Sequence, residues 1–184
     1  GQSNGLALDP AGQLLAADLI LSGVAILLLT ALGWWKECGL LTLGCLRHLP
    51  IYLLPLVAAF LPFLEGIEVT DPWTIVTYAV LMLLVGFAEE TFFRGLILRS
   101  LRPVGLYLAV ILSALLFGLP HLLNALSGLW DPVFTLVDSL AAVGIGITFA
   151  AFVVRTGSLW PPILLHALIN FNSLLVQGSI AVPP

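Results

Sequence analysis

Residues 86–95 read GFAEETFFRG, and they set Glu89, Glu90 and Arg94 inside one of the most apolar stretches of the chain. An ionisable side chain at the centre of a membrane helix costs about 2.5–3.5 kcal/mol even on lenient insertion scales. Glu90 and Arg94 are four residues apart with the acid first, the order that favours a helical ion pair. Glu89 projects about 100° away from them, so its polar neighbours are expected on other helices. Gly86, on the side of Glu89, leaves room for another helix or a water.

The composition around this stretch indicates an integral membrane protein. Of 184 residues, 60% are hydrophobic and 9% are charged, with a mean hydropathy of +1.14, whereas soluble domains carry about 25% charged residues. The net charge of -4 is scattered along the chain, which argues against a nucleic-acid partner. The expected partners are the lipid bilayer and a molecule at the membrane. Cys38 and Cys45 match no common zinc or redox spacing and are predicted to be reduced structural thiols.

Six apolar runs are candidates for membrane-spanning helices, which need about 20 mostly apolar residues. The second run is the weakest because it is short and contains Pro55 and Pro62. The runs cover residues 12–35, 50–64, 73–98, 104–125, 132–154 and 161–176. They predict an all-α, polytopic transmembrane helix bundle of about six spans.

Charges between the runs predict the orientation, since Lys and Arg accumulate on the cytoplasmic side. Five of the six basic residues follow the odd-numbered runs: Lys36, Arg47, Arg99, Arg102 and Arg155. The alternate loops carry acids instead: Glu65, Glu68, Asp71 and Asp131. The pattern places both termini outside, in a multi-pass arrangement expected for a cell membrane of bacterial type.

Two further polar sets lie in apolar runs, and both contain a histidine. Phe117 and His121 share a helical face in the fourth run, where Pro120 loosens the helix; His166 and Asn170 share a face in the sixth. Histidines combined with a carboxylate and an amide on neighbouring spans indicate a chemical site. The remaining polar residues of the runs are expected to pack or to face a cavity, without assigned partners: Asp18, Asn124, Asp138 and Asn172.

The three sets allow several kinds of chemistry. A carboxylate and a histidine can deprotonate a water, while an imidazole N–H and an amide can stabilise an oxyanion, which together would hydrolyse a peptide bond. Glu89, His121 and His166 could instead bind a zinc ion with an activated water. A proton-coupled carrier or a non-proteolytic scaffold would also use intramembrane Glu and His. The residues alone leave these alternatives open.

The motifs E-E-x-x-x-R (Glu89, Glu90, Arg94), F-x-x-x-H (Phe117, His121) and H-x-x-x-N (His166, Asn170) occur in this order. Over roughly residues 75–178 the chain resembles the CAAX-protease and bacteriocin-processing (CPBP, or Abi) family of intramembrane proteases. The resemblance implies a four-helix catalytic core in residues 73–178, after an N-terminal transmembrane hairpin with loops in 1–72 and before a tail in 179–184.

The resemblance also implies roles for the motif residues. Glu89 with His121 would activate the water, His166 with Asn170 would stabilise the oxyanion, and Glu90 with Arg94 would organise the site. The substrate would be a membrane-associated, prenylated or other peptide, and no cofactor would be required, with zinc as the alternative. A scaffold or bacteriocin-immunity protein without proteolysis remains the alternative function.

Depth along the helices gives one conflicting expectation. Counted at about 1.5 Å per residue, Glu89 and His166 lie roughly 15 Å from the cytoplasmic ends of their helices, but His121 lies roughly 28 Å from its own. The fourth helix is therefore expected to be tilted or to begin in the cytoplasm, unless a predicted boundary is wrong.

Overall fold

The computed structural model describes residues 10–43, 48–126 and 131–177, and within these ranges the regular elements are all helical. Six helices follow one another, in agreement with the predicted all-α bundle. They are α1 (Pro10–Leu32), α2 (Leu49–Phe60), α3 (Pro72–Glu90), α4 (Leu106–Leu126), α5 (Pro132–Thr156) and α6 (Trp160–Gln177). Cys45, Arg47, the side chain of Asn124 and the predicted tail 179–184 lie outside the described residues.

The second helix is short, as its prolines predict. Pro55 lies inside α2, and the chain then tightens into a 3₁₀ turn, Leu61–Glu65, that contains Pro62. Asn172 of α6 donates a hydrogen bond from Nδ2 to the carbonyl of Ala59, at 2.7 Å. This contact fixes α2 against α6 and agrees with a packing role for Asn172.

Side-chain caps determine where α3 and α5 begin. Asp71 accepts hydrogen bonds from the backbone N–H of Thr74 at 2.8 Å and from its hydroxyl at 2.7 Å, which hold the pKa of this exposed carboxyl below its usual range. Asp131 accepts from the backbone N–H groups of Val133 and Phe134 at 2.9 and 3.0 Å. An aspartate before a first-turn proline is a strong helix start.

The helix that carries the glutamates changes its winding directly after them. Residues Thr91–Ile97 form a π-helical segment, followed by a short α-helical turn, Leu98–Leu101. Such segments are rare and occur frequently at functional sites. Ser113 of α4 donates a hydrogen bond to the carbonyl of Phe93 at 2.9 Å, so α4 is tied to the π-helical segment. Nothing in the sequence pattern predicted this change.

Glycines bring two pairs of helices into close contact. A Cβ built on Gly86 of α3 would lie 2.7 Å from the carbonyl oxygen of Ile163 and 3.2 Å from the backbone nitrogen of Ala167, both on α6. Gly86 therefore makes room for another helix, one of its two predicted uses. A Cβ on Gly118 of α4 would meet the side chain of Val143 and, at 2.9 Å, the carbonyl oxygen of Ser139, both on α5.

Contacts between loops show which helix ends lie together. Trp160 Nε1 donates to the carbonyl of Leu40 at 2.9 Å, and the guanidinium of Arg99 lies 4.8 Å from the ring of Trp34. At the opposite end, the backbone of Glu68 donates to the carbonyl of Leu175 at 2.9 Å. The chain after α1, the turn that contains Arg99 and the start of α6 thus lie at one end of the bundle, and the acidic segment before α3 lies at the other. The side of a membrane that each end faces stays a prediction.

The outer surface of the bundle is apolar. Large hydrophobic side chains are exposed on every helix, among them Ile20, Leu54, Val80, Leu116, Leu140 and Leu164. Three helices are long and apolar enough to cross a membrane, namely Leu15–Leu32, Pro72–Val104 and Pro132–Thr156, and the other three are shorter and apolar. A surface of this kind suits a hydrocarbon solvent. The protein is therefore a membrane protein.

Candidate active site

The predicted ion pair between Glu90 and Arg94 lies in the centre of the bundle. Arg94 Nη1 lies 2.9 Å from Glu90 Oε1, and both side chains are 0% exposed. The guanidinium carbon also lies 4.0 Å from the ring centroid of Phe117, on α4, where the π face attracts the cation. The first residue of the F-x-x-x-H motif therefore forms part of the wall around the buried charge.

His166 of α6 joins the two glutamates of α3. Its Nδ1 lies 2.8 Å from Glu90 Oε1, and its Nε2 lies 3.9 Å from Glu89 Oε2. An ionised Glu90 accepts hydrogen bonds from both Arg94 and the N–H at Nδ1 of His166. A neutral His166 ring would then have its lone pair on Nε2, and a ring that carries protons on both nitrogens would also donate from Nε2. Glu90 holds the ring, while Glu89, 29% exposed, faces open space.

That open space is a cavity of about 250 Å³ between α3, α4, α5 and α6. Four polar motif residues line it together: Glu89, His121, His166 and Asn170. Phe117, Ala141, Ala142, Ile145, Phe149, Ile169 and Ser173 complete much of the wall. His121 thus reaches the same cavity as Glu89 and His166, while the tilt of the fourth helix or its start in the cytoplasm stays a prediction. The buried Glu90 and Arg94 lie behind the wall.

Asp138 of α5 has a partner that the sequence analysis did not assign. Its Oδ2 lies 2.7 Å from Nδ1 of His121, with both side chains 33% exposed toward the cavity. The expectation of an acid facing a cavity is correct, but it is not a lone packing residue. An aspartate inside an apolar helix indicated that such a contact exists. The sequence could not predict its partner, because His121 lies 17 positions away on another helix.

Asp18 brings α1 close to the site. It is 4% exposed, and its Oδ2 is buried without a hydrogen-bond partner among the described residues. It lies close enough to Glu89 and His166 to interact with both electrostatically. With Ser22, Ala25 and Leu29 it forms the buried face of α1. Its acidic character in an apolar run was again the only available signal.

Within the part of the chain that the structure describes, no three His, Cys, Asp or Glu side chains lie close enough together to hold a metal ion. The zinc alternative, with Glu89, His121 and His166 as ligands, therefore does not fit these side chains as they lie. The expectation that no cofactor is required stays a prediction.

A second, apolar groove adjoins the cavity. It encloses about 390 Å³ between α2, α5 and α6, and it shares Ala141, Ile145, Phe149 and Ile169 with the cavity wall. Small residues widen it, because Ala58, Ala59 and Gly144 also line it. The polar cavity thus adjoins an apolar space that is lined partly by α2.

Comparison with known proteins bears on this arrangement. A family model described as Type II CAAX prenyl endopeptidase Rce1-like matches residues 71–172, more than half of the chain and all of the motif residues. No curated protein and no solved structure matches the chain. The match begins at the start of α3 and includes the motif-bearing parts of α3, α4 and α6. The chain therefore belongs to the family of Rce1-like type II CAAX prenyl endopeptidases, a family of proteases.

Proposed function

We propose that the protein is an intramembrane endopeptidase that hydrolyses a peptide bond of a membrane-associated substrate, with prenylated CAAX-type peptides as the first class to test. One observation carries the proposal: Glu89, His121, His166 and Asn170, from three helices, line a single cavity of about 250 Å³. A cavity with convergent polar groups inside an otherwise apolar bundle is where ionisable side chains can meet water.

Water activation is assigned to Glu89 and His121. Arg94 forms its ion pair with Glu90 and not with Glu89, and Glu89 is partly exposed to the cavity, so its carboxylate can accept a proton from a water. His121, with Nδ1 directed at Asp138, offers Nε2 as a second acceptor for the same water. The water oxygen then forms the new bond to the carbonyl carbon of the substrate.

His166 and Asn170 are assigned to the oxyanion. The Asn170 amide donates without any change of protonation, and His166 donates from Nε2 only when both ring nitrogens carry protons. Glu90, at 2.8 Å from Nδ1 of His166, would stabilise that cation, since Glu89 is neutral once it has taken the proton of the water. When the C–N bond breaks, the proton taken from the water passes from Glu89 to the leaving amine.

The apolar groove beside the cavity suits the hydrophobic part of such a substrate. It shares a wall with the cavity, so a peptide bond held beside Glu89 could continue into an apolar neighbour without crossing a polar surface. We further propose that all six helices span a cell membrane of bacterial type, with both termini outside and the basic loops in the cytoplasm.

The decisive experiment compares the wild-type protein with Glu89→Gln in detergent and in liposomes. Both are incubated with prenylated and unprenylated CAAX-type peptides and with hydrophobic helical peptides, and the products are identified by mass spectrometry. We expect defined fragments from the wild type alone. Proteomes of cells that carry either protein are compared in parallel. No fragment from the wild type in either assay would favour a scaffold or immunity protein over a protease.

A further inference from the structure

Asp138 and His121 form the shortest contact between an acid and a histidine among the described residues. Asp138 Oδ2 lies 2.7 Å from His121 Nδ1, closer than either glutamate lies to His166. Both side chains line the cavity. The contact is thus part of the cavity surface and not a buried link between helices.

The backbone around this contact fixes the distance between the two helices. The hydroxyl of Ser139, next to Asp138, donates to the carbonyl of Gly118 at 2.9 Å. A Cβ on Gly118 would collide with α5, so α4 and α5 touch at this level, three residues before His121. The close approach of α4 and α5 therefore holds Asp138 opposite His121.

The chemistry of the pair determines what His121 presents to the cavity. An ionised carboxylate can only accept a hydrogen bond, so the neutral imidazole must carry its proton on Nδ1. Nε2 then has a free lone pair, the form that accepts a proton or a hydrogen bond from water. A ring with the opposite tautomer would present an N–H and could not accept.

We infer that Asp138 is a positioning residue that selects the tautomer and orientation of His121 for water activation. In this role Asp138 acts through the imidazole of His121 and not on the water or the peptide. This inference rests on the proposed proteolysis and adds to the three motifs a fourth group, on α5, that supports the reaction. The same principle governs the aspartate of serine-protease triads, where exchange for asparagine yields the wrong tautomer.

The test uses the full chain with Asp138→Asn, which keeps the size but gives up the obligatory acceptor. We expect kcat to fall by about 100-fold or more, KM to change little and the melting temperature to stay near that of the wild type. Asp138→Glu, which restores the carboxylate on a longer stem, should recover part of kcat. Asp131→Asn is the matched control on the same helix, because asparagine also caps helices well, and it should retain wild-type kcat.

A readout independent of activity is the ¹⁵N NMR spectrum of labelled histidine, assigned by the loss of a signal in His121→Gln. The wild type should show the Nδ1–H form of His121, and Asp138→Asn should shift the population toward Nε2–H. Unchanged kcat in Asp138→Asn, or a lost kcat with an unchanged His121 signal, would refute the positioning role. If the wild type cleaves nothing, the proposed protease fails, while the spectra still decide whether Asp138 sets the tautomer.

Discussion

The two adjacent glutamates are predicted to fail in different ways when each is replaced by glutamine. Glu90 is fully buried and contacts both Arg94 and His166. In Glu90→Gln the amide oxygen can still accept a hydrogen bond, but the guanidinium of Arg94 loses its counter-charge. Breaking a buried ion pair costs about 3–5 kcal/mol, and the retained oxygen puts this change near the lower limit.

For a chain of this length, a loss of about 3 kcal/mol lowers the melting temperature by about 6–12 °C. Glu89 is 29% exposed, and its contact with His166, at 3.9 Å, is too long for a hydrogen bond. Glu89→Gln should therefore change stability by no more than about 0.5 kcal/mol. Its kcat should fall by at least about 100-fold, because the amide cannot take a proton from water.

The assay measures thermal unfolding of detergent-purified protein and peptide cleavage per folded molecule in the same preparations. Glu90→Gln should melt clearly lower and keep part of its activity, whereas Glu89→Gln should melt like the wild type and be inactive. The opposite pattern, a stable and inactive Glu90→Gln beside an unstable and active Glu89→Gln, would show that the catalytic base and the structural ion-pair partner are assigned to the wrong glutamates.

Three further outcomes are expected. Gly86→Ala should lower the free energy of unfolding by about 1–3 kcal/mol, because the new Cβ would clash with the backbone of α6. Gly23→Ala is the control: it has open space around its Cβ and should melt no lower than the wild type. Equal melting temperatures of the two variants would refute this packing. Gly144 lines the apolar groove, and a Cβ added there would meet no atom within 4 Å. Gly144→Leu should therefore fill the groove and lower kcat/KM at least about tenfold without lowering the melting temperature. Gly23→Leu, also with open space around its Cβ, is the control, and an unchanged kcat/KM in Gly144→Leu would exclude the groove as part of the substrate site. Activity should survive a strong chelator, and elemental analysis that finds one zinc per active chain, lost together with activity, would reverse this expectation.

Local patterns were the most predictable part of the molecule. The helix boundaries follow from apolar runs bounded by Gly, Pro and Asp, and the pair of Glu90 with Arg94 follows from a four-residue spacing within one helix. That Glu89, His121 and His166 belong to one site was expected from the polar sets on neighbouring apolar runs and from the family resemblance. The roles assigned to these residues in catalysis stay predictions.

Contacts between distant helices could not be predicted in the same way. The bond from His166 to Glu90 joins residues 76 positions apart, and the contact of His121 with Asp138 joins residues 17 apart. Each depends on how two helices are rotated and how deeply they sit against each other, which glycines such as Gly118 set by close approach. The π-helical segment after Glu90 is likewise a product of packing, since its sequence, TFFRGLI, has no feature that requires it.

The double attachment of Glu90 has a consequence for biogenesis. At about 5–20 residues per second, the ribosome needs roughly 4–15 s to add the 76 residues that separate Glu90 from His166. During that interval α3 is already synthesised while α6 is not yet complete. Arg94, only four residues away, travels with Glu90 and neutralises it from the outset. The ion pair therefore requires only one helix to form, whereas the contact of Glu90 with His166 requires the whole core to be synthesised.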